Sequence, residues 1–320
     1  MRRPDPRARV TMALGALTTA AALAVAHPAP APAATAAASA SPITLQLADP
    51  TLDYGDAVVA RGHVPGAGAG VPVLLEERVR GGAWSAVARG LTRAGGAYRL
   101  TAHVPRSGLL RVSLERAAVA ASGAGADTVA PPSRARGLRV AVHVTVTRRH
   151  TNVRAGSTAR VGGRVRPAHA GRLVVLQRRA HGRWRTLART RTHAGGGYAL
   201  AYRARAAASA RLRVRAAGAP ALAGASHDAG RLNAFRPALA SWYSGGGSLA
   251  CGGSMTPGMM GVANKSLPCG TMVTIRYRGR QVRVPVVDRG PYVGGREFDL
   301  GPGVRGALGF DGVGTVWVSY

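Results

Sequence analysis

Short stretches in which apolar and polar residues alternate recur along most of the chain. The clearest ones are VPVLLEERV (71–79), GAYRLTAHV (96–104), LLRVSL (109–114), RLVVLQRR (172–179), GYALAYRA (197–204) and ARLRVRA (210–216). Because successive side chains of a strand point to opposite faces, this period of two is typical of half-buried strands. Gly-rich turns separate the stretches, so the pattern predicts several short antiparallel strands that pack as small sandwiches.

The stretches belong to an internal repeat. WSAVARGLTRAGGAYRL (84–100) aligns with WRTLARTRTHAGGGYAL (184–200), and GDAVVARGHV (55–64) aligns with GSTARVGGRV (156–165). A fixed spacing of this kind indicates two copies of one structural unit. Each copy resembles a bacterial immunoglobulin-like β-sandwich, and we expect one central tryptophan in each, Trp84 and Trp184.

Changes of composition suggest the domain boundaries. We expect the two sandwiches over 43–125 and 139–217, and we expect the segments rich in Ala, Pro and Gly over 126–138 and 218–237 to be linkers. The last segment, 238–320, has a different pattern. Its strand-like runs are TMVTIRY, QVRVPVV and TVWVSY, with a helical turn expected at GVRGALGF. The sequence therefore predicts an all-β chain with a compact barrel over 238–320.

The N-terminus has the pattern of an export signal. Several arginines precede the apolar stretch 10–26, and a site of small residues follows at 31–33. We expect a signal peptide over 1–33, a linker over 34–42, and a secreted protein. A retained membrane anchor is the alternative, although a run of about 17 Ala-rich residues is short for a membrane span.

Charge distinguishes the two repeats. The chain has 44 Lys and Arg against 13 Asp and Glu, a net charge of +31. Nine Arg and six acids give 43–125 a net charge of +3, whereas 139–217 has 19 Arg and no acid, or +19. The second repeat therefore either faces a polyanion or has gained charge without selection against it. Export and the scarcity of aromatic residues for base stacking argue against nucleic acid as the physiological partner.

Two cysteines, Cys251 and Cys269, lie in the last segment. In an exported protein such a pair is expected to form one disulfide; two unpaired thiols are the alternative. A zinc site is disfavoured because 238–320 contains no histidine. We expect no metal, no cofactor and a monomeric protein.

Four motifs of the last segment carry a family resemblance. ASWYSGGG (240–247), LPCGTMV (267–273), VVDRGPYVGGREFDL (286–300) and ALGF (307–310) occur in the order typical of the rare lipoprotein A (RlpA)-like family. The resemblance implies a double-psi β-barrel, with the barrels of expansins and barwin-like proteins as more distant relatives. It also implies association with the cell wall, binding of peptidoglycan glycan strands and lytic transglycosylase chemistry. For a protein at the wall, the polyanion expected to bind 139–217 is an anionic wall polymer. A non-catalytic, expansin-like glycan-binding or wall-loosening module is the alternative.

The sequence departs from the family at two polar positions. Gly253 stands where the family has its proposed catalytic Glu, and Asn264 stands where the family usually has His. The resemblance leaves Asp288 as the candidate catalytic residue, with capping of the next turn as its alternative role. Glu297 is a weaker candidate acid, or else a surface residue paired with a nearby Arg.

Five residues are expected to contact the glycan: Trp242, Tyr243, Asn264, Arg289 and Asp299. The rings of Trp242 and Tyr243 could stack on sugar faces, or they could belong to the barrel core. Asp299 has a structural role as its alternative.

Overall fold

The computed structural model describes residues 41–115 and 130–320. The expected signal peptide 1–33 lies outside these ranges, as does most of the linker after it. The described residues form strands, one 3₁₀ turn at Ala94–Gly96 and one α-helix. Within these ranges, no helix combines the length and the apolar character needed to cross a membrane.

The first sandwich consists of two facing sheets. Its strands are β1 Gln46–Leu47, β2 Thr51–Asp53, β3 Ala57–His63, β4 Pro72–Arg78, β5 Ser85–Leu91, β6 Ala97–His103, β7 Gly108–Leu114 and β8 Arg136–Ala141. One sheet has the order β1-β3-β6 and the other β2-β8-β7-β4-β5. Their inward side chains, chiefly Val and Leu, form one core.

The second sandwich repeats this arrangement. Its strands are β9 His143–His150, β10 Asn152–Arg154, β11 Thr158–Arg166, β12 Leu173–Ala180, β13 Arg183–Arg191, β14 Gly197–Arg203 and β15 Ala208–Ala216. The sheet β9-β11-β14 packs over the sheet that contains β13-β12-β15. A register shift occurs in the same place in both copies, between Leu75 and Glu76 and between Leu176 and Gln177.

The third domain is a closed barrel. Its elements are β16 Ala225–Trp242, β17 Val262–Ala263, β18 Met272–Tyr277, β19 Arg280–Asp288, β20 Phe298–Leu300, α1 Pro302–Leu308 and β21 Gly314–Ser319. The order β16-β20-β17-β19-β18-β21 returns to β16, which closes the ring. Closure pairs every strand on both sides and leaves no sheet edge free. The core contains Phe298 and Phe310, and α1 contributes Val304 and Leu308.

The segments expected to be linkers differ in the structure. Residues 136–141 form β8, which pairs with β7 and with β2 of the first sandwich. Residues 225–242 form β16, whose first half pairs with β15 and whose second half belongs to the barrel. Small residues gave these segments the composition of linkers, but their backbone groups are satisfied by strand pairing.

The tryptophans expected at the centres of the sandwiches are not in the cores. Trp84 is only partly buried, with the guanidinium groups of Arg78 and Arg111 at 4.7 and 4.3 Å from its ring centroid. Trp184 is covered in the same way by Arg213 at 4.2 Å. Stacked arginines shield the rings on an outer sheet face. The buried aromatic residues are instead Tyr98 and Tyr198, the partners in the same alignment.

Candidate functional site

Strand pairing in the barrel brings two carboxylates to neighbouring positions. Ala263 of β17 pairs with Asp288 of β19 on one side and with Asp299 of β20 on the other. Asp299 in turn pairs with Ser241 of β16. The two acids therefore lie on strands that flank β17, and both are partly buried.

Asp288 binds backbone groups on two sides. Its Oδ1 accepts hydrogen bonds of 2.8 Å from the backbone N–H groups of Ala250 and Arg289. The bond to Arg289 is the turn contact expected from the sequence, and the bond to Ala250 ties the Gly-rich loop after β16 to the end of β19. Both bonds use Oδ1, so neither of them engages Oδ2.

Tyr243 lies near both acids. Burial, followed by the negative charges of Asp288 and Asp299, raises the pKa of Tyr243 above its ordinary value. The hydroxyl is therefore protonated at neutral pH. It is buried and forms no hydrogen bond of regular length and angle within residues 41–115 and 130–320, although Asp288 is close enough for its charge to act on it.

Asp299 is held by a side chain that the sequence analysis did not single out. The hydroxyl of Ser241, a residue only 3% exposed, donates a hydrogen bond to Asp299 Oδ1. Ser241 directly precedes Trp242 and Tyr243 in the SWY motif, so its place in the motif was the available signal. The contact fixes the orientation of the carboxylate beside Tyr243.

Glu297 is placed in a different environment. Both of its carboxylate oxygens accept hydrogen bonds from Arg236, at 2.7 Å for Oε2. The guanidinium of Arg236 also donates to the hydroxyl of Tyr320 at 2.9 Å. The hydrogen bond to Glu297 is the main reason that the pKa of Arg236 is raised. Glu297 therefore takes part in an ion pair with an arginine from β16, a partner distant in sequence.

Asn264 and Arg289, expected as glycan contacts, tie loops together. Asn264 is 3% exposed; its Oδ1 accepts from the N–H groups of Ser266 and Leu267, and its Nδ2 donates to the carbonyl of Glu297. Arg289 donates to the carbonyls of Asn264 and Leu267 at 3.1 Å. Their polar groups are therefore used within the protein.

Trp242 combines features of both roles expected for it. Its ring is partly buried against the barrel core, and the Arg305 guanidinium lies 4.0 Å from the ring centroid. Arg305 is itself held by Asp311 at 2.9 Å. One face of the indole is thus occupied by a cation, which reduces the ring area open to a sugar.

The disulfide prediction is confirmed, because Cys251 and Cys269 are bonded with their Cα atoms 5.6 Å apart. The bond anchors the loop that contains Gly253, whose φ is +81° and whose surroundings would leave a side chain in open space. No group of three or more His, Cys, Asp or Glu side chains within 41–115 and 130–320 has the proximity needed to hold a metal ion.

Comparisons with known proteins agree with the geometry of the barrel. A family model described as lytic transglycolase matches residues 237–320. Three curated proteins named "Probable endolytic peptidoglycan transglycosylase RlpA" are similar to this segment. The protein from Aquifex aeolicus is 42% identical over 81 residues, covering 23% of this chain and 36% of the relative. The protein from Synechocystis sp. is 35% identical over 95 residues, which cover 28% of this chain and 30% of the relative. The protein from Nostoc sp. is 39% identical over 84 residues, which cover 24% of this chain and 23% of the relative.

The chain thus spans at most 36% of the length of these relatives. Among solved structures, the Streptomyces papain inhibitor is similar at 23% identity over 27% of this chain and 94% of that protein, with a TM-score of 0.22. A tetra-tandem repeat from the extending region of a large adhesion protein is similar at 17% identity over 81% of this chain and 66% of that protein, with a TM-score of 0.27. Residues 237–320 form a closed β-barrel that is similar to the double-psi β-barrel of the RlpA-like family, and two β-sandwich repeats precede it.

Proposed function

We propose that the barrel binds peptidoglycan glycan strands at the cell wall and cleaves them as a weak lytic transglycosylase that uses Asp288. The observation that carries the proposal is the placement of Asp288 and Asp299 on the two strands that flank β17, with the protonated hydroxyl of Tyr243 near both. The names of the similar curated proteins support the same reaction class.

The proposed chemistry requires only one group that transfers a proton. In a lytic transglycosylase the bond between C1 and the leaving glycosidic oxygen breaks, and the 6-hydroxyl oxygen of the same sugar forms a new bond to C1. The proton of that hydroxyl replaces the one donated to the leaving oxygen, so a single carboxyl can act first as acid and then as base. Oδ2 of Asp288 is the oxygen outside the two backbone hydrogen bonds and is assigned this role.

A second candidate is a glycan-binding barrel without catalysis. The observation that favours it is that no second acid is free to act beside Asp288 at these two positions. Glu297 is paired with Arg236, and Gly253 carries no side chain. In this alternative Asp288 holds the glycan through a hydrogen bond to Oδ2, and no bond of the glycan is broken.

The two candidates predict different products from peptidoglycan. The purified full chain is incubated with sacculi and with glycan stripped of its peptides, and 1,6-anhydro products are measured by mass spectrometry. We expect such products from the native protein and their loss, by at least about 100-fold, in Asp288→Asn. The amide oxygen of Asn can still accept the N–H of Ala250, so the loop is retained. Asp56→Asn removes an exposed acid of the first sandwich and is the matched control.

Binding to glycan without anhydro products would reject the enzyme and favour the second candidate. Gly253→Glu makes this outcome decisive, because it returns a carboxyl to the position where the family has one. There is space for the side chain, and the positive φ costs roughly 1–2 kcal/mol. If neither the native chain nor Gly253→Glu gives anhydro products, while both bind, the barrel is a binding module.

We also propose that the second sandwich retains the exported protein on anionic wall polymers, through the arginines of 139–217. The support is the contrast between +3 for 43–125 and +19 for 139–217 on one repeated fold.

A further inference from the structure

A cleft of about 490 Å³ lies where the second sandwich meets the barrel. One wall comes from β10 and the residues around it, and the other comes from the turn between β18 and β19 and from β21. Its lining includes the polar and aromatic side chains of His150, Arg154, Ser157, Arg276, Arg278 and Trp317. Within the described part of the chain, the cleft has no acidic residue in its lining.

The first sandwich provides an internal comparison for this edge. ADPTLDYGD (48–56) aligns with RHTNVRAGS (149–157) at the spacing of the repeat. The aligned pairs at the acidic positions are Asp49 and His150, Asp53 and Arg154, and Asp56 and Ser157. The strands are equivalent too, because β2 and β10 each pair in parallel with the strand that leads into the next domain, β8 and β16 respectively. The edge is therefore acidic in the first sandwich, whereas in the second sandwich, where it lies beside the barrel, the three aligned positions carry no acid and one arginine.

The walls of the cleft are fixed relative to each other. Asn233 of β16 is 5% exposed, and its Nδ2 donates to Asn152 Oδ1 at 2.7 Å. Its Oδ1 accepts from the hydroxyl of Ser209 at 2.9 Å, and the backbone N–H of Ser209 donates to the carbonyl of Tyr320 at 3.0 Å. These bonds join β10, β15 and the end of the chain, so the cleft is preorganised.

The cations of the cleft are not neutralised by the protein. Arg154 stacks on Trp317 with 4.7 Å between guanidinium and ring centroid, which orients the group and leaves its N–H edges available. Arg154, Arg276 and Arg278 form no ion pair with any carboxylate in 41–115 and 130–320. Three unpaired guanidinium groups at one cleft favour a ligand that carries more than one negative charge.

We propose that this cleft binds a phosphate ester of a sugar or polyol. A phosphomonoester carries a charge of about −1.5 to −2 at neutral pH and presents three acceptor oxygens, which suits three guanidinium groups better than a single carboxylate does. The volume exceeds the needs of a phosphate alone and leaves room for the sugar beside Trp317. The site is separate from Asp288, so it extends the proposed function and does not depend on it.

Calorimetric titration of the full chain tests the proposal. Glucose 6-phosphate, glucuronate and glucose have similar size and differ at C6, so they separate phosphate, carboxylate and neutral ligands. We expect saturable binding of one glucose 6-phosphate, binding of glucuronate weaker by about tenfold or more, and no heat with glucose. Equal affinity for glucuronate, or heat that does not saturate, would overturn the proposal.

Two variants assign the binding to the cleft. Arg154→Asp introduces the residue of the first repeat, and Arg278→Gly replaces a residue with φ of +44° by one that favours this conformation. Each is expected to weaken glucose 6-phosphate binding by about tenfold. Arg183→Asp changes the charge as Arg154→Asp does, but at an exposed position outside the cleft, and should bind as the native chain does. An equal loss in Arg183→Asp would show that only the net charge matters.

Discussion

Glu297 lies one residue before β20, where Arg236 holds both of its carboxylate oxygens. Asp299, two residues later, instead accepts from Ser241, and Asp288 accepts from two backbone N–H groups. Three acids within one short stretch therefore differ in their freedom to transfer a proton. An acid already bound at both oxygens by a guanidinium must lose that pair before it can act.

Glu297→Gln is expected to leave the yield of anhydro products from glycan unchanged and to lower the free energy of unfolding by about 0.5–1 kcal/mol. The loss is small because the side chains of the pair are 30% and 38% exposed, so solvent screens them. Denaturation in urea measures the stability, and the product assay measures the activity. A large loss of product at nearly native stability would instead make Glu297 the replacement acid.

The motif VVDRGPYVGGREFDL was sufficient to single out Asp288, Glu297 and Asp299 as candidate site residues. It was insufficient to find Arg236 or the role of Ser241, since both contacts join residues about 60 positions apart. Asn264 was expected to face a sugar because His stands there in the family. Its burial depends on the loop that folds back over it, which no local pattern reveals.

At the scale of elements, the two sandwiches share a contact between a tyrosine, a glycine and a carbonyl. The Tyr198 hydroxyl donates to the carbonyl of Thr145 at 2.8 Å, and Tyr98 makes the equivalent bond to Thr44. A Cβ on Gly163 would lie 1.9 Å from the carbonyl oxygen of Thr145, so the close approach requires glycine. The alignment showed the tyrosines, but it could not show that they, and not the tryptophans, fill the cores.

Tyr198→Phe is expected to reduce the loss of stability that the second sandwich undergoes at alkaline pH. Burial raises the pKa of Tyr198 to about 12 in the folded protein, from an ordinary value of 10.0, while the charge of Arg149 opposes this shift. The folded state thus holds the proton more tightly, and its stabilisation is complete below pH 10 and is lost as the pH rises through 12. The shift corresponds to about 3 kcal/mol.

Denaturant unfolding between pH 8 and 12 measures this effect by circular dichroism. Near pH 8 the variant should be less stable by about 1 kcal/mol, since the carbonyl of Thr145 loses its donor. Its stability should then fall less steeply above pH 10 than that of the native chain. Tyr292→Phe, at a residue that is 83% exposed, is the control and should follow the native curve. If the stability of Tyr198→Phe fell above pH 10 as steeply as that of the native chain, ionisation of Tyr198 would not be a cause of the alkaline loss of stability.

At the scale of the whole molecule, the domains are joined by strands and not by flexible connectors. β8 completes the first sandwich immediately before β9, and β16 runs from the second sandwich into the barrel without a break. The number of domains and the class of each could be predicted from periodicity and motifs. The strands that connect the domains could not be predicted, because Ala-rich and Gly-rich segments acquire strand structure only when a partner strand is present.

The outer face of β12, β13 and β15 shows how one fold acquired two surfaces. In the first repeat, Glu76 accepts a hydrogen bond of 2.8 Å from Arg111. At the equivalent place Gln177 accepts from Arg213 at 2.8 Å, so the bond remains but the negative charge is absent. Burial, followed by the charges of Arg215 and Arg179, lowers the pKa of Arg213, which reflects the density of cations on this face. Such a face favours a polyanion that would relieve the repulsion.

The double substitution Gln177→Glu with Arg215→Ser returns this face to the residues of the first repeat, since Ser113 is the counterpart of Arg215. We expect weaker retention of the full chain on anionic wall polymers at low salt. The slope of log affinity against log salt should fall by about two, because two fewer counterions are released. Arg61→Ser with Arg99→Ser removes the same net charge from the other sheet of the first sandwich and should leave retention unchanged. Equal losses in both double variants would mean that the net charge of the chain, and not this face, holds the protein on the wall.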